Sequence, residues 1–579
     1  MYALTSKLSV KISPFAGSVL LFVLALLSYA NSFPGAFIVD DVPMVQMNPQ
    51  VASLDVRSIF TADYWGVATN SGLYRPITIL SLAVNRLLLG PEAWGYHLVN
   101  LLLHGTVAVF LFLVAVELAL PLGAAFIAAA LFSVHPIHTE VVNVIVGRSE
   151  PLGALFGLAA LWLGRRGEGW RWWFPASLCF LLALLSKEHA VVLLVAIPLV
   201  DFFFADSART LWQKRRHYYL VLAGVVLFWL FMRTVMVDRP PLRELYDPFF
   251  VPLIEVDGVT RILTALKLQV IYLQKLAFPW TLHGVYSLSS FAPLISSVFS
   301  PAGALLLIFW GGVLVLIGLG WRRRQTWALL GTLYLISFLP TSNLLFVTGV
   351  TMAERLAYFP SLWFCLGASS LVTLLPQGSK VRNGLLLIGL VVVVALATRT
   401  WVRNIDFHSD ETLFTADVAA DPHNTIAYLF LANAYQCEQK LQQADATYRR
   451  LLALEPDAAG LYDLYARFLL DTGRPSEGLR YARQSVAMPN VVVDSARLTV
   501  ARLLWALGRG QEALNELAAI DEGRMQRLNL YWEVRGRAEE MRGNLPEAAD
   551  CFRQEDRWSN GTSYDGLRRL GNVLLALGE

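Results

Sequence analysis

A chain of 579 residues that is 56% hydrophobic, 12% aromatic and 16% charged is too apolar to form one soluble core. The formal net charge of +3 conceals an asymmetry, because residues 1–400 carry 27 Lys and Arg against 18 Asp and Glu, whereas residues 401–579 carry 20 against 26. The acidic C-terminal part argues against a nucleic-acid partner. Four cysteines without metal-like spacing predict no disulfide framework.

Eleven apolar stretches approach the length that crosses a membrane, and we predict a transmembrane helix at each. They lie at 15–33, 97–118, 121–134, 149–164, 172–186, 188–205, 218–236, 302–320, 325–340, 355–375 and 384–400. Lys7 and Lys11 precede the first stretch without a small-residue cleavage site, so this helix is predicted to be retained, with a cytoplasmic N-terminus. Eleven crossings place the basic clusters at 165–171, 209–216, 322–324 and 380–382 on the cytoplasmic side.

The stretch at 260–278 is predicted to lie in the outer membrane interface, because a twelfth crossing would reverse the side of the later basic clusters. Its sequence fits an amphipathic helix with Thr260, Thr264, Lys267 and Gln274 on one face. The C-terminal tail is then on the outer side, as are four further segments. These segments are 34–96, 135–148, 237–301 and 341–354.

Two adjacent carboxylates, Asp40 and Asp41, directly follow the first apolar stretch in the outer loop 34–96. Paired acids at a membrane surface favour chemistry on a lipid-borne substrate, whereas two solvated loop charges are the structural alternative.

Further charged residues and histidines lie at the outer ends of the predicted helices, where function concentrates in membrane proteins. They are Arg75, His138, Glu140, Arg148, Lys187, Glu188, Glu354 and Arg355. Two interpretations remain open for the cations. They form local neutral pairs, Arg148 with Glu150, Lys187 with Glu188 and Arg355 with Glu354, or they receive an anionic group such as a lipid phosphate. His135 and His138 have a spacing that suits a zinc ion, but capping or hydrogen bonding is the favoured interpretation.

From residue 425 onward the chain repeats with a period of 34 or 35 residues, which is typical of tetratricopeptide repeats. Small residues recur where two helices of a repeat must pack closely, at Ala432, Ala466, Ala501, Gly536 and Gly571. We predict about four repeats and a closing helix at 425–579, joined by a half-repeat connector at 401–424 to a membrane domain at 1–400. Such an array binds extended peptides or other protein surfaces.

The ordered motifs resemble the transmembrane and tetratricopeptide-repeat protein O-mannosyltransferases (TMTC family) and their bacterial relatives. The resemblance covers nearly the whole chain. It is carried by Asp40-Asp41, Tyr74-Arg75-Pro76, Gly95 to Asn100, His135 to Glu140, Gly147-Arg148, Ser186-Lys187-Glu188, Leu339 to Asn343, Ala353-Glu354-Arg355 and the repeats.

The resemblance implies an all-α architecture, a polytopic GT-C bundle followed by a repeat solenoid, and a sugar donor on a polyprenyl phosphate. It implies that Asp40 or Asp41 is the catalytic base, without deciding which. The donor-binding set is then Arg75, His138, Glu140, Arg148, Lys187, Glu188, Glu354 and Arg355. No obligatory cofactor or metal site is expected, with a divalent cation as the second alternative.

The expected function is therefore an inverting glycosyltransferase that moves mannose or another hexose onto Ser or Thr of periplasmic or lumenal proteins, with the repeats aiding acceptor recognition. The short chain and compact loops suggest a bacterial inner-membrane protein, with the endoplasmic reticulum as the location if the source is eukaryotic. A membrane-anchored scaffold without catalysis is the alternative. A transporter is less favoured, because the ionisable residues lie at helix ends and not at mid-membrane.

Overall fold

The computed structural model describes residues 13–65, 71–237, 249–376, 379–489, 493–520, 529–559 and 564–577. In this part of the chain the regular structure is helical and no strand occurs, so the predicted all-α class is confirmed. The chain divides into two compact units, Met1–Ala427 and Tyr428–Glu579. Lys7 and Lys11, on which the orientation of the first helix was argued, lie outside the described residues.

The first unit begins with a long helix and two short loop helices and continues as a series of mostly apolar helices. They are α1 (Pro14–Ser28), α2 (Pro49–Ser53), α3 (Val56–Thr61), α4 (Pro76–Leu89), α5 (Ala93–Glu117), α6 (Leu122–Ser133), α7 (Thr139–Asn143), α8 (Ser149–Arg165), α9 (Trp170–Ser186), α10 (Leu193–Phe204), α11 (Ala208–Met236), α12 (Gly258–Ala277), α13 (Pro301–Arg322), α14 (Thr326–Phe338), α15 (Tyr358–Ser370), α16 (Lys380–Asn404) and α17 (Asp410–Ala420).

Each of the eleven predicted apolar stretches contains a helix, but the helices differ in length. Within the described ranges, six are long and apolar enough to cross a membrane: Pro14–Ser32, Ala93–Glu117, Ala208–Met236, Pro301–Arg322, Glu354–Leu374 and Lys380–His408. Leu122–Ser133 and Pro136–Asn143, bent by 45°, form a seventh if they are one span. The others are shorter; α8, with 17 residues, rises only about 26 Å. The chain is a membrane protein, and the count of eleven crossings is not confirmed.

The predicted interfacial helix is present as α12 and is not among the six long apolar helices. Several of its polar side chains contact the protein. Thr260 and Thr264 are buried, and Thr264 accepts a hydrogen bond from the backbone of Ile295 at 3.3 Å. Lys267 donates to the backbone oxygens of Phe291 and Pro293 at 2.7 and 3.0 Å. The polar face therefore holds the chain that follows the helix, and the helix's depth in the membrane stays a prediction.

Close packing through glycine brings α8 against its neighbours at the end that carries charge. A Cβ atom on Gly153 would lie 3.1 Å from Cβ of Lys187. One on Gly157 would lie 2.9 Å from Leu193 and 3.3 Å from Phe359. Because a larger side chain would push these segments apart, Gly153 sets the distance from α8 to Lys187, and Gly157 sets the distance from α8 to Leu193 and Phe359.

The second unit is a succession of helical hairpins, so the predicted repeats are confirmed. The helices of the repeat region are α18 (Thr425–Cys437), α19 (Leu441–Leu454), α20 (Ala459–Asp471), α21 (Pro475–Ala487), α22 (Val493–Ala506), α23 (Gly510–Ala518), α24 (Asn529–Met541), α25 (Leu545–Ser559) and α26 (Tyr564–Leu577). Ala466, Ala501 and Ala513 are completely buried between helices, as close packing of the hairpins requires. The predicted domain boundaries at 400 and 424 stay predictions.

Candidate active site

Asp41 is a completely buried carboxylate that links the segment after α1 to the segment between α7 and α8. Its oxygens accept hydrogen bonds from three backbone N–H groups, those of Ile38 at 3.3 Å, Ile145 at 3.1 Å and Val146 at 2.9 Å. Burial raises the pKa of Asp41 to about 7, and the three N–H groups act in the opposite direction. All of these donors are supplied by the protein backbone, so Asp41 serves as a structural clasp between the loops.

Asp40 is only partly buried, and its carboxylate makes no hydrogen bond or ion pair with any described residue. Burial raises the pKa of Asp40 above its ordinary value, the charge of Arg355 opposes that rise and the charge of Glu140 adds to it. The residue before it, Val39, has a φ of 49°, a left-handed conformation that is rare for a β-branched side chain. Of the two acids, Asp40 is the one whose oxygens are available to a substrate.

Arg355 and Glu140 form an ion pair beside Asp40. The guanidinium of Arg355 contacts Oε1 of Glu140, and the backbone N–H of Arg355 donates to Oε2 at 2.8 Å. The side chain of Arg355 remains 33% exposed, whereas that of Glu140 is 6% exposed. Arg355 therefore keeps donors that can reach a bound anion while its position is fixed by Glu140.

Arg75 and Glu188 form a second pair. Nε of Arg75 donates to both carboxylate oxygens of Glu188 at 3.0 Å, and Nη2 lies 2.9 Å from Oε2. The guanidinium also lies over the ring of Tyr64, 4.8 Å from its centroid. The charges of Arg75, Asp40 and Glu188 all act on the pKa of Tyr64, so Tyr64 lies within electrostatic range of both this pair and Asp40.

Lys187 forms a third pair, with Glu150 at the start of α8. Nζ of Lys187 lies 2.8 Å from Oε1 of Glu150, and Nε2 of His189 lies 3.5 Å from Oε2. The Glu150 side chain is only 1% exposed. Glu150 also acts on Arg75 and Arg355, so the three pairs interact with one another. We call these six residues together with Asp40 the charged cluster.

The charged cluster corrects one interpretation of the sequence. The local pairs Lys187 with Glu188 and Arg355 with Glu354 do not form, since each cation instead pairs with a carboxylate from another segment. These adjacent residues do not pair because the side chains of neighbouring residues point away from each other at these helix ends.

Arg148 does not pair with Glu150 and lies apart from these ion pairs. It is completely buried, and its guanidinium donates to four uncharged acceptors: the side-chain oxygens of Asn100 and Asn85 at 2.7 and 2.8 Å, and the backbone oxygens of Tyr96 and Ser81 at 2.9 and 3.2 Å. Its donors are used within the protein, which favours a structural role over anion binding.

The two histidines between α6 and α7 also form hydrogen bonds within the protein. His138 is completely buried, with its two ring nitrogens 2.9 Å from the backbone oxygen of Phe132 and 2.8 Å from Oγ of Ser361. His135 has Nε2 2.9 Å from the backbone oxygen of Leu276. Among the described residues, no group of three or more His, Cys, Asp or Glu side chains is placed to hold a metal ion. The favoured interpretation of these histidines, as hydrogen-bonding residues, fits this geometry.

Glu354 is buried away from solvent and does not pair with its neighbour Arg355. Its Oε1 accepts from the Tyr286 hydroxyl at 2.7 Å and from the backbone N–H of His283 at 2.6 Å, and its Oε2 lies 3.4 Å from Arg403. The sequence analysis did not single out Tyr64, Tyr286 or Arg403. A signal for Arg403 was present, because it follows Thr400 by three residues and precedes Asn404 on one face at the end of an apolar helix.

Sequence comparison finds relatives that are named protein O-mannosyl-transferases. The chain is 26% identical over 446 residues to the Protein O-mannosyl-transferase F38B6.6 of Caenorhabditis elegans, covering 76% of this chain and 62% of that relative. It is 27% identical over 497 residues to the Protein O-mannosyl-transferase TMTC3 of Homo sapiens, covering 80% of this chain and 54% of the relative. The chain is similar to the TMTC O-mannosyltransferases. The resemblance inferred from the motifs is thereby confirmed.

The chain spans about half to three fifths of the length of these curated relatives. No family model matches it. Among solved structures, it is similar to the type IV pilus biogenesis factor PilW, with 20% identity and a TM-score of 0.27 over 35% of this chain and 88% of that one. It is also similar to the TPR protein YrrB, with 16% identity and a TM-score of 0.24 over 28% and 80%. TM-scores this low do not establish a shared fold.

Proposed function

We propose that this chain is an integral-membrane inverting glycosyltransferase that moves a hexose, mannose in the first instance, from a polyprenyl phosphate to a Ser or Thr hydroxyl of a protein. The observation that carries the proposal is Asp40, a carboxylate with no hydrogen-bond or ion-pair partner among the described residues, beside the Glu140–Arg355 pair whose cation acts on it. The names of the similar proteins support the class of reaction. The outer side of a bacterial inner membrane is the proposed location, with the repeats presenting the acceptor.

Asp40 is the proposed base. An alcohol is a poor nucleophile, so the carboxylate takes the acceptor's proton as the acceptor oxygen attacks the anomeric carbon, which contributes about 10²- to 10⁴-fold. The new bond joins that oxygen to the anomeric carbon, and the bond from the anomeric carbon to the phosphate oxygen breaks with its electron pair. The proton ends on Asp40. A single displacement of this kind inverts the configuration of the sugar.

The leaving group is a lipid phosphate, which needs positive charge where its anion develops. Arg355, Arg75 and Lys187 are the proposed ligands. Arg355 is the foremost of them, because it is a third exposed and its charge acts directly on Asp40. Their partners Glu140, Glu188 and Glu150 hold the cations in place, so the ligand atoms need little rearrangement when the phosphate arrives. A divalent cation is a second, less favoured source of positive charge.

The test uses purified full-length protein in lipid nanodiscs, a polyprenyl-phosphate mannose donor and a protein acceptor, with transfer followed by mass spectrometry. Asp40→Asn is expected to lower the rate constant for transfer by at least about 10²-fold, because an amide cannot take the proton. Asp41→Asn is the matched control. It is the same substitution one residue away, at a carboxylate whose oxygens already accept hydrogen bonds from backbone N–H groups.

Per folded molecule, Asp41→Asn is expected to keep its rate within about tenfold of the wild type. Transfer by Asp40→Asn at the wild-type rate would show that Asp40 is not the base. Absence of transfer by the wild-type protein with mannose and with other hexoses on the same carrier would refute the proposed function.

A further inference from the structure

The last apolar helix of the first unit, α16, has a polar, buried end. Most of this helix is exposed, but Thr400, Arg403 and Asn404 are buried on one face. The hydroxyl of Thr400 donates to the backbone oxygen of Val134 at 2.7 Å, and Asn143 donates to the side-chain oxygen of Asn404 at 2.9 Å. These contacts join the end of α16 to the segment from Val134 to Asn143, which carries Glu140.

Arg403 lies between the two segments that supply the Glu140–Arg355 pair. Its side chain is 2% exposed. Nε donates to the hydroxyl of Thr139 at 3.2 Å, and Nη2 donates to Oε2 of Glu354 at 3.4 Å. Thr139 directly precedes Glu140, and Glu354 directly precedes Arg355. One guanidinium therefore contacts the residue before each member of the pair.

Arg403 pairs with two carboxylates, since Nη1 also lies 3.6 Å from Oδ2 of Asp406. The carboxylate of Glu354 is itself held in place. Tyr286 and the backbone of His283 occupy Oε1 of Glu354, which leaves Oε2 for Arg403. The loop that carries His283 and Tyr286 has a second contact: the backbone N–H of Gly284 donates to Oδ1 and Oδ2 of Asp417 at 2.9 and 2.8 Å. Leaving a buried guanidinium without its carboxylate costs free energy, so the Arg403–Glu354 contact is expected to be kept.

We propose that Arg403 is a positioning residue, which through Thr139 and Glu354 holds the Glu140–Arg355 pair in its place beside Asp40. The inference rests on the proposed function, because it concerns the residue that acts as the base. Arg403 touches neither Asp40 nor the phosphate ligands, so it acts through the pair alone. The planar fork of arginine bridges two acceptors, which the single ammonium of lysine does not reproduce.

The consequence is a defined pH dependence. The charged and titratable groups that act on Asp40 are Arg355, Glu140, Tyr64 and Asp41. Arg355 is the group that lowers the pKa of Asp40, against the rise from burial and from Glu140. If the pair loosens, Asp40 loses part of this stabilisation of its anion, and its pKa rises. Because the base acts only when deprotonated, the acidic limb of the rate profile moves to higher pH.

The experiment measures kcat against pH for wild type, Arg403→Met, Arg403→Lys and Arg399→Met. Arg403→Met is expected to move the acidic limb upward by about half a pH unit or more, which is about a threefold fall in kcat on the limb. Rates at high pH approach the wild-type value. Arg403→Lys is expected to show part of the shift. Arg399→Met is the matched control, since Arg399 lies one turn earlier and donates to the backbone oxygen of Trp280 at 3.2 Å.

Thr139→Val and Thr139→Ser provide an independent route should Arg403→Met fail to fold. The valine removes the acceptor of Nε and is expected to reproduce the shift, whereas the serine keeps the hydroxyl and the wild-type limb. An unchanged limb in Thr139→Val together with an unchanged limb in any folded Arg403 variant would overturn the inference. Failure of the proposed function looks different, because the wild type would show no transfer or Asp40→Asn would transfer at full rate.

Discussion

At the scale of single residues, Asp41 shows what a buried carboxylate needs. Three backbone N–H groups donate to its carboxylate, from Ile38, Ile145 and Val146. Replacing one partner of a buried hydrogen bond costs more than the bond contributes, because the other partner stays buried and unsatisfied. Asp40 has no such bonds to lose.

Asp41→Asn is therefore expected to destabilise the protein by about 1–3 kcal/mol, because an amide has one acceptor oxygen and turns its NH2 group toward a backbone donor. Asp40→Asn is expected to change the free energy of unfolding by less than about 0.5 kcal/mol. Thermal unfolding in detergent measures both, at pH 8, where a carboxyl with a pKa of about 7 is mostly ionised. Equal stability of the two variants would contradict the assignment of Asp41 as the clasp.

The sequence predicted that one of the two acids is the base, and it could not tell which. The donors that occupy Asp41 come from residue 38 and from residues 145 and 146, so the distinction arises only when two distant loops meet. By contrast, the association of Asp40 with Arg355 and Glu140 could be anticipated, since the predicted topology puts their segments on one side.

At the scale of helices, the three ion pairs join segments that are far apart in sequence. Arg75 precedes α4 and pairs with Glu188 after α9; Lys187 pairs with Glu150 of α8; Arg355 pairs with Glu140 of α7. Each pair is largely buried. Removing one partner leaves an uncompensated charge, whereas removing both leaves two neutral groups.

Lys187→Met is expected to destabilise the protein by about 3–5 kcal/mol, and the double variant Lys187→Met with Glu150→Gln is expected to recover most of that loss. Lys214→Met is the control, because Lys214 and its partner Glu168 are more than half exposed, at 56% and 54%. That change should be worth less than about 1 kcal/mol. Chemical or thermal unfolding of the purified variants measures the cycle, and equal losses in the single and double variants would argue against a coupled pair.

Helix positions were predictable because hydropathy and length are local properties of the sequence. Pairing was not, since Glu188 and Glu354 are the nearest partners in sequence but lie against other cations in space. The partners of the polar face of α12 were not predictable for the same reason: Lys267 donates to the backbone of Phe291 and Thr264 accepts from the backbone of Ile295, which the helical pattern does not reveal.

At the scale of the whole molecule, the chain has two units with different constructions. The first buries charged groups among apolar helices, whereas the second relies on small residues that let helical hairpins stack. At Gly478 of α21, an added Cβ would lie 2.9 Å from the backbone oxygen of Ala466 and 2.9 Å from Leu503. At Gly460 of α20, it would meet nothing within 4 Å.

Gly478→Val is expected to overpack the repeats at a cost of about 1–3 kcal/mol or more. If the repeats present the acceptor, transfer to a folded protein acceptor should fall severalfold while transfer to a short Ser/Thr peptide stays unchanged. Gly460→Val is the matched control, because a Cβ there meets nothing within 4 Å, and it is expected to leave both transfer rates unchanged. Mass spectrometry of the two acceptors measures the ratio, and an equal fall for peptide and protein would separate the repeats from acceptor choice.

The backbone conformation of Val39 fixes the turn that carries the proposed base, Asp40. A β-branched residue in the left-handed region costs about 1–3 kcal/mol, and it persists here with its N–H donating to Asp410 at 2.9 Å and with Asp41 fixed on the other side. The turn is thus preorganised before any ligand binds. If Asp40 is the base proposed above, this turn needs no induced fit, and we expect discrimination between acceptors to arise from binding and orientation of the hydroxyl.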